Sequence, residues 1–224
     1  MALQKQQQTK INNKWPVARE GLPFILTGLV LTLILISFGL IAPAVVMGIL
    51  SLFSVYFFRD PERQTPGFEN AVFTPADGKI LQVKQLTDDL NPLGEPSMLV
   101  SIFMSVFSVH VNRVPVSGRV TDITYHPGHF FSAHLDKASS QNEKNQLTFE
   151  TAGGHKIMAV QIAGLIARRI VCWVKKGDEV AAGQRFGLIR FGSRLDVYFP
   201  KEAQIIVQPR DLVKAGETIL GYLS

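Results

Sequence analysis

From Leu22 to Phe58 the chain runs for 37 residues without an Asp, Glu, Lys, Arg or His. As one straight helix at about 1.5 Å per residue this run would reach roughly 55 Å, against a hydrocarbon core of about 30 Å. Ala42-Pro43, close to Gly39, is the natural break, and it predicts two helical segments, Leu22–Ile41 and Ala44–Phe58, folded as a membrane hairpin. Lys5, Lys10, Lys14 and Arg19 precede the run, and Arg59 and Arg63 follow it. Cations on both flanks and none at the turn place both ends of the hairpin on the cytoplasmic side. The run is far longer than a signal-peptide core and lacks a small-residue cleavage pattern. A buried core pair would need a larger soluble partner than remains, whereas a re-entrant or interfacial hairpin competes, because Ala44–Phe58 is short for a full span. Residues 1–21, with Gln4 and the Gln6–Gln8 run, read as a disordered cytoplasmic arm.

After Arg59-Asp60-Pro61-Glu62-Arg63 the pattern changes to short β-branched and aromatic runs punctuated by glycine and proline. Lys79–Val83, Met98–Phe103, Arg119–Tyr125, Lys156–Ile162, Ile170–Val174, Arg185–Arg190 and Leu195–Phe199 are examples of the predicted strands. Only Gly164–Arg169 and a few loop segments could hold a helical turn. Two segments repeat. Pro75-Ala76-Asp77-Gly78-Lys79-Ile80 is echoed by Pro115-Val116-Ser117-Gly118-Arg119-Val120, and Val174-Lys175-Lys176-Gly177-Asp178-Glu179-Val180 by Val213-Lys214-Ala215-Gly216-Glu217-Thr218-Ile219. Each reads as strand, tight turn, strand, a pattern that resembles the barrel-sandwich hammerheads of biotinyl and lipoyl domains. The expected class is therefore mainly β: a barrel-sandwich-like soluble domain over residues 59–224, with an N-terminal apolar helical hairpin over 22–58.

Composition narrows the function classes. At 224 residues, 46% hydrophobic and 18% charged, the chain is too apolar to be disordered. The excess of 23 basic over 18 acidic side chains suits an anionic membrane surface. Of the aromatics 15 are Phe, 4 Tyr and 2 Trp, with no basic–aromatic pattern for stacking nucleic-acid bases. The single cysteine, Cys172, excludes an intrachain disulfide framework and any zinc site needing two thiolates.

Several residues carry candidate chemistry. His126, His129 and His134 are close in sequence, but Pro127-Gly128 breaks any helix that would align the first two, and no Cys or carboxylate completes a ligand set nearby. Loop histidines at a polar surface fit better. Asp136-Lys137-Ala138 has the form of a lipoylated tripeptide, yet it sits in a long polar loop running through Lys144 and Asn145, not in a short exposed hairpin. Gly192-Ser193 by itself marks a turn, His110 among apolar neighbours reads as a core histidine, and Asp77 before Gly78 as a turn aspartate.

Taken in order, Phe57-Phe58-Arg59-Asp60-Pro61-Glu62-Arg63, Pro75-Ala76-Asp77-Gly78-Lys79, His110-Val111-Asn112-Arg113-Val114-Pro115, Asn142-Glu143-Lys144-Asn145 and Phe191-Gly192-Ser193-Arg194 resemble the phosphatidylserine decarboxylase family in its short prokaryotic form. The resemblance runs from about Phe57 to the C-terminus. It implies a self-processing lyase that converts phosphatidylserine to phosphatidylethanolamine. Its cofactor would be a covalent pyruvoyl group made from Ser193, with neither metal nor pyridoxal phosphate. Ser193 Oγ would attack the Gly192 carbonyl, and β-elimination would split the chain between 192 and 193. Fragments 1–192 and 193–224 would stay together as a heterodimer able to assemble further. The pyruvoyl carbonyl would form a Schiff base with the headgroup amine and act as electron sink for loss of CO2.

By the same resemblance His110 is the candidate proton donor, Asp77 belongs to the machinery activating Ser193, and Arg113, Arg190 and Arg194 are candidates for the lipid phosphate. Longer members carry two histidines where this chain has His110 and, in the second place, Arg113. The implied partners are phosphatidylserine and membrane lipid, not nucleic acid. The implied location is the inner cell membrane, with the catalytic domain cytoplasmic. Two rivals remain: a non-enzymatic membrane-tethered adaptor or carrier with a biotinyl/lipoyl-like fold, and an envelope metallopeptidase. The first gives no reason for Gly192-Ser193 with Asp77 and His110, and the second needs a compact ligand set.

Overall fold

The computed structural model describes residues 11–87, 91–132, 141–165, 169–190 and 192–224. His134, the Asp136-Lys137-Ala138 tripeptide and Phe191 lie outside them. The chain forms two compact units, one of residues 12–62 and one essentially of residues 63–224.

In the first unit, α1 (Leu22–Ser37) and α2 (Ile41–Phe57) form the expected pair, but the break falls three residues early. Gly39 turns the chain with φ at 71°, a left-handed conformation that glycine adopts without steric cost. Pro43 instead sits in the first turn of α2, where its missing N–H has no intrahelical partner to lose. The helices meet through small residues: a Cβ on Gly28 would lie 2.1 Å from Ser51 Oγ, and one on Gly48 3.8 Å from Thr32 Cγ2. Leu26, Leu33, Val45, Ile49 and Leu52 face outward. The segment Arg19–Ser37 is long and apolar enough to cross a membrane, and Ile41–Phe57 is shorter.

The end of the stretch expected to be a disordered arm is ordered. Asn13 is buried and donates to Asp60 Oδ2 at 2.9 Å, the Ala18 N–H donates to the Phe58 carbonyl at 2.7 Å, and Val17 bridges to Arg59.

The second unit is antiparallel β. Its strands are β1 (Ala71–Phe73), β2 (Gly78–Leu86), β3 (Ser97–Met104), β4 (Val111–Arg113), β5 (Gly118–His126), β6 (Lys144–Glu150), β7 (Lys156–Ile162), β8 (Ile170–Cys172), β9 (Glu179–Val180), β10 (Arg185–Ile189), β11 (Ser193–Pro200), β12 (Gln204–Ile205), β13 (Leu212–Val213) and β14 (Ile219–Tyr222). An eight-stranded sheet runs β13-β2-β3-β11-β7-β6-β5-β9, and two three-stranded sheets run β1-β14-β12 and β4-β10-β8. All seven expected strands are present, Lys156–Ile162 with the expected bounds and the other six with shifted ends. Lys144 and Asn145, expected in a loop, instead begin β6, because their partners on β7 supply the ladder that local polarity does not advertise. Gly164, Leu165 and Arg169 are not helical, and the residues between them lie outside the description.

The repeated segments have a structural cause. A Cβ on Gly78 would lie 2.1 Å from the Phe103 carbonyl oxygen, and one on Gly118 2.1 Å from that of Glu150. Each glycine opens a long strand that crosses its neighbour's backbone too closely for any side chain. Each strand then carries a bulge at the same place, between Ile80 and Gln82 and between Val120 and Asp122. The two halves of the large sheet are thus built from one recurring unit.

Strand β11 lies at its centre and is buried on both faces. Leu195, Val197 and Phe199 point into the main core with Ile80, Ile102, Leu147, Phe149 and Phe186, while Tyr198 packs on the other face with Leu99, Met158, Val160 and Ile162.

Candidate active site

Ser193 is the first residue of β11, paired in register with Met104 at the end of β3. It is fully buried, and its Oγ lies 3.9 Å from Met104 Sδ. A thioether is a weak acceptor, so the hydroxyl is out of water with its hydrogen poorly satisfied. Gly192 precedes it with φ at 66°. A Cβ there would meet nothing nearer than Val106 Cγ1 at 4.0 Å, so backbone conformation and not crowding selects glycine.

Strand pairing brings His110 to this turn. β4 runs antiparallel to β10 with Val111 opposite Leu188, so the residue before β4 meets the chain leaving β10. His110 is buried, its Nδ1 lies 2.9 Å from the Ser108 carbonyl, and its Nε2 accepts the Gly192 N–H at 3.4 Å. A carbonyl can only accept, so Nδ1 carries the proton and Nε2 presents its lone pair to the Gly192–Ser193 turn.

Asp77 stands at the same end of the sheet, two strands from Ser193: Lys79 pairs with Phe103, and Phe103 with Arg194. Two strand spacings are about 10 Å. Its carboxylate takes both ends of the Arg63 guanidinium, at 2.6 and 2.8 Å, and accepts the Ala215 N–H at 2.8 Å. Among the described residues its bonds go to those partners and not to His110. Arg63 also donates to the Ala215 carbonyl at 3.0 Å and lies 3.9 Å from Glu217. The pair thus pins the start of β2 to the 213–219 turn.

The three candidate phosphate-binding arginines are dispersed. Arg113 is buried and donates from Nη1 to the Gly183 carbonyl at 2.8 Å. Arg190 is half-buried in the turn after β10. Arg194 points to the face opposite Ser193, as successive strand residues must, and is fully buried there. Its Nε donates to Asp196 Oδ1 at 2.6 Å and its Nη2 to Ser101 Oγ at 2.7 Å.

Of the loop histidines, His126 Nε2 lies 2.9 Å from Gln146 Oε1, and His129 packs against the Phe131 ring. Among the described residues no three His, Cys, Asp or Glu side chains converge as metal ligands.

Sequence reasoning missed the buried amides beside Ser193. Asn145 Nδ2 donates to Gln161 Oε1 at 3.0 Å, Gln161 Nε2 to Asn112 Oδ1 at 2.8 Å, and Asn112 Nδ2 to Met104 Sδ at 3.5 Å. A lone amide inside an apolar strand, as in Val160-Gln161-Ile162, was the available sign. Asn142 is also buried, and its Nδ2 donates to the Ala163 and Phe131 carbonyls at 2.7 Å each, holding the end of β7. Both asparagines of the 142–145 motif are thus tied to the end of β7, Asn145 to Gln161 and Asn142 to Ala163.

Comparison with known proteins agrees with this assembly. The family model for phosphatidylserine decarboxylase matches residues 50–221. A phosphatidylserine decarboxylase proenzyme of Syntrophus aciditrophicus is 52% identical over 208 residues, covering 92% of this chain and 96% of that protein. Proenzymes of the same name from Geobacter metallireducens and Geobacter sulfurreducens are 50% and 48% identical, each covering 95% of this chain and 99% of theirs. With similarity of this extent, and with Gly192, Ser193 and His110 brought together by the fold, the chain belongs to the phosphatidylserine decarboxylase family.

Proposed function

We propose that the chain decarboxylates phosphatidylserine to phosphatidylethanolamine after cutting itself between Gly192 and Ser193. The observation that carries this reading is the His110 Nε2 lone pair at the Gly192 N–H, beside a buried Ser193 hydroxyl. Ser193 Oγ gives up its proton to His110 and adds to the Gly192 carbonyl carbon. Collapse breaks the peptide C–N bond, leaving an ester to Oγ and a free amine on residue 193. Loss of the Ser193 Cα proton then expels the Gly192 carboxylate and leaves dehydroalanine. Its imine tautomer takes up water and releases ammonia, leaving a pyruvoyl group at residue 193.

Residue 193 fits that group. It is closed off from water, it begins a central strand, and its side chain faces a weakly interacting sulfur that does not compete for an incoming ligand. The pyruvoyl group supplies a ketone carbonyl that takes up the headgroup amine and accepts the electron pair left by CO2. His110 is then the proton donor to the headgroup carbon, because Nε2 already faces this turn. Arg190, half-buried in the turn after β10, is the candidate for the lipid phosphate, since Arg113 and Arg194 are buried inside the domain.

The hairpin of α1 and α2 would hold residues 59–224 at the cytoplasmic face of the inner membrane, where the substrate resides. Its outward apolar side chains support this. Fragments 1–192 and 193–224 would remain joined, because β11 pairs with both β3 and β7.

The test is denaturing intact-mass spectrometry of the full chain purified in detergent, with CO2 release from phosphatidylserine measured on the same sample. Two fragments splitting after Gly192, the smaller blocked at its N-terminus, together with CO2 release, are expected. A single full-length mass in an active sample would overturn the self-cleavage. A single mass with no activity would favour the adaptor reading.

A further inference from the structure

Four buried side chains form a directed chain that ends at Ser193. The bonds run from Asn145 to Gln161, from Gln161 to Asn112 and from Asn112 to Met104 Sδ, and the Ser193 hydroxyl points at the same sulfur. All of these residues are at most 3% exposed. The sense of every amide follows from the Met104 end. A thioether has no proton to give, so Asn112 must face it with its NH2 group. Asn112 Oδ1 must then take the NH2 of Gln161, and Gln161 Oε1 must take the NH2 of Asn145.

Three buried amides are an expensive way to fill a β core, where apolar side chains would pack without any need for partners. Their arrangement ends with two polar hydrogens, from Asn112 and from Ser193, converging on one of the poorest acceptors a protein contains. A donor dipole held in a water-free site and left under-satisfied is poised for negative charge that appears later. Oγ of Ser193 is the nearby atom that gains such charge when it loses its proton.

We propose that Asn112 is a positioning residue for self-cleavage, with Gln161 and Asn145 acting as a relay that keeps its NH2 turned toward Met104 and Ser193. This rests on the self-cleavage reading above. The relay makes a specific and unusual demand, because the orientation of Asn112 depends on a donor two residues away on β6. Asn145→Asp removes that donor. Gln161 then turns its NH2 toward residue 145 and its Oε1 toward Asn112, and Asn112 turns its own NH2 toward Gln161. An oxygen now faces Ser193 in place of a donor.

The experiment is cell-free synthesis of the full chain into lipid nanodiscs with a pulse of label, followed by the disappearance of the full-length species on a denaturing gel. Asn112→Asp should slow cleavage by about tenfold to a hundredfold, the range expected for one hydrogen bond to a charged group. Asn145→Asp and Gln161→Glu should reproduce most of that loss, beyond what any fall in melting temperature accounts for. In an Asn112→Ala background Asn145→Asp should add nothing, because the relay has lost its end. A remote effect of the new charge alone would persist in that background and would overturn the proposal. So would wild-type cleavage by Asn145→Asp and Gln161→Glu, or slowing matched by loss of stability. If the wild-type chain itself fails to split, the Ser193 reading falls, and this proposal with it. If the wild type splits and the variants keep pace with it, the relay alone is wrong.

Discussion

His110 Nε2 accepts the backbone N–H of Gly192 at 3.4 Å, while Nδ1 of the same ring is tied to the Ser108 carbonyl at 2.9 Å. The second contact fixes the tautomer, and the first aims the basic nitrogen at Gly192, the residue whose carbonyl the proposed self-cleavage attacks.

Replacing His110 by Ala should slow self-cleavage by about a hundredfold or more, the usual contribution of a positioned general base. The ring is buried, so its removal leaves a closed cavity. Added imidazole should fill that cavity and restore part of the rate, measured as the appearance of the 193–224 fragment by mass spectrometry. Cleavage at the wild-type rate without imidazole would show that another group takes the serine proton.

The Arg63–Asp77 pair predicts a stability effect. Both side chains are mostly buried, with side-chain exposures of 7% and 15%, and the contact is bidentate. Asp77→Asn should destabilise the domain by about 3 kcal/mol, because it leaves the guanidinium without its counter-charge. Arg63→Met should cost a similar amount, and the two changes together should cost much less than their sum. Chemical denaturation of the four variants provides the cycle, and additive losses would show that the pair is not coupled.

Arg194 and Asp196 form a second pair deeper still, at 1% and 0% exposure. Asp196→Asn should cost about 3–5 kcal/mol, whereas replacing both members by Met and Leu should come close to the wild type, since burying two charges offsets most of their attraction. The measurement is the midpoint of thermal unfolding in detergent. A double variant as unstable as the single one would mean that the pair contributes more than charge compensation.

Alkaline pH should weaken the fold. Burial raises the Cys172 thiol above its ordinary 9.0. Burial, with the Asp196 charge second, likewise pushes the Tyr198 hydroxyl up from 10.0. For such acids the unfolded chain loses its protons first, so stability is undiminished below the ordinary values and falls as pH rises through the window above them. Melting temperature measured from pH 8 upward should decline, and Cys172→Ala with Tyr198→Phe should flatten that decline. An unchanged slope in the double variant would place the effect elsewhere.

Much of this was legible in the chain itself. A run of 37 uncharged residues must hide from water, and glycine-punctuated β-branched segments must pair, so the hairpin and the β domain followed from pattern alone. The repeat built on Gly78 and Gly118 could also be seen, although its cause could not. Only the folded backbone shows that both glycines pass within van der Waals distance of a carbonyl.

The partners of each functional side chain were not legible, because pairing between residues far apart in sequence leaves no local trace. The resemblance assigns Asp77 to the machinery activating Ser193, and only the fold shows that its carboxylate holds Arg63. Arg194 was expected near the substrate, and strand alternation turns it to the opposite face. Lys144 and Asn145 looked like loop, yet they pair with β7 and begin the amide relay. By itself the sequence determined the apolar hairpin and most of the strands, since these depend on residue type and neighbours along the chain, while the candidate roles of Ser193 and His110 came from the family resemblance. The tertiary structure alone decided that Nε2 of His110 meets Gly192, that Met104 caps Ser193, and that three amides point the same way. Those are consequences of strand register, which is set by long-range ladders and core packing.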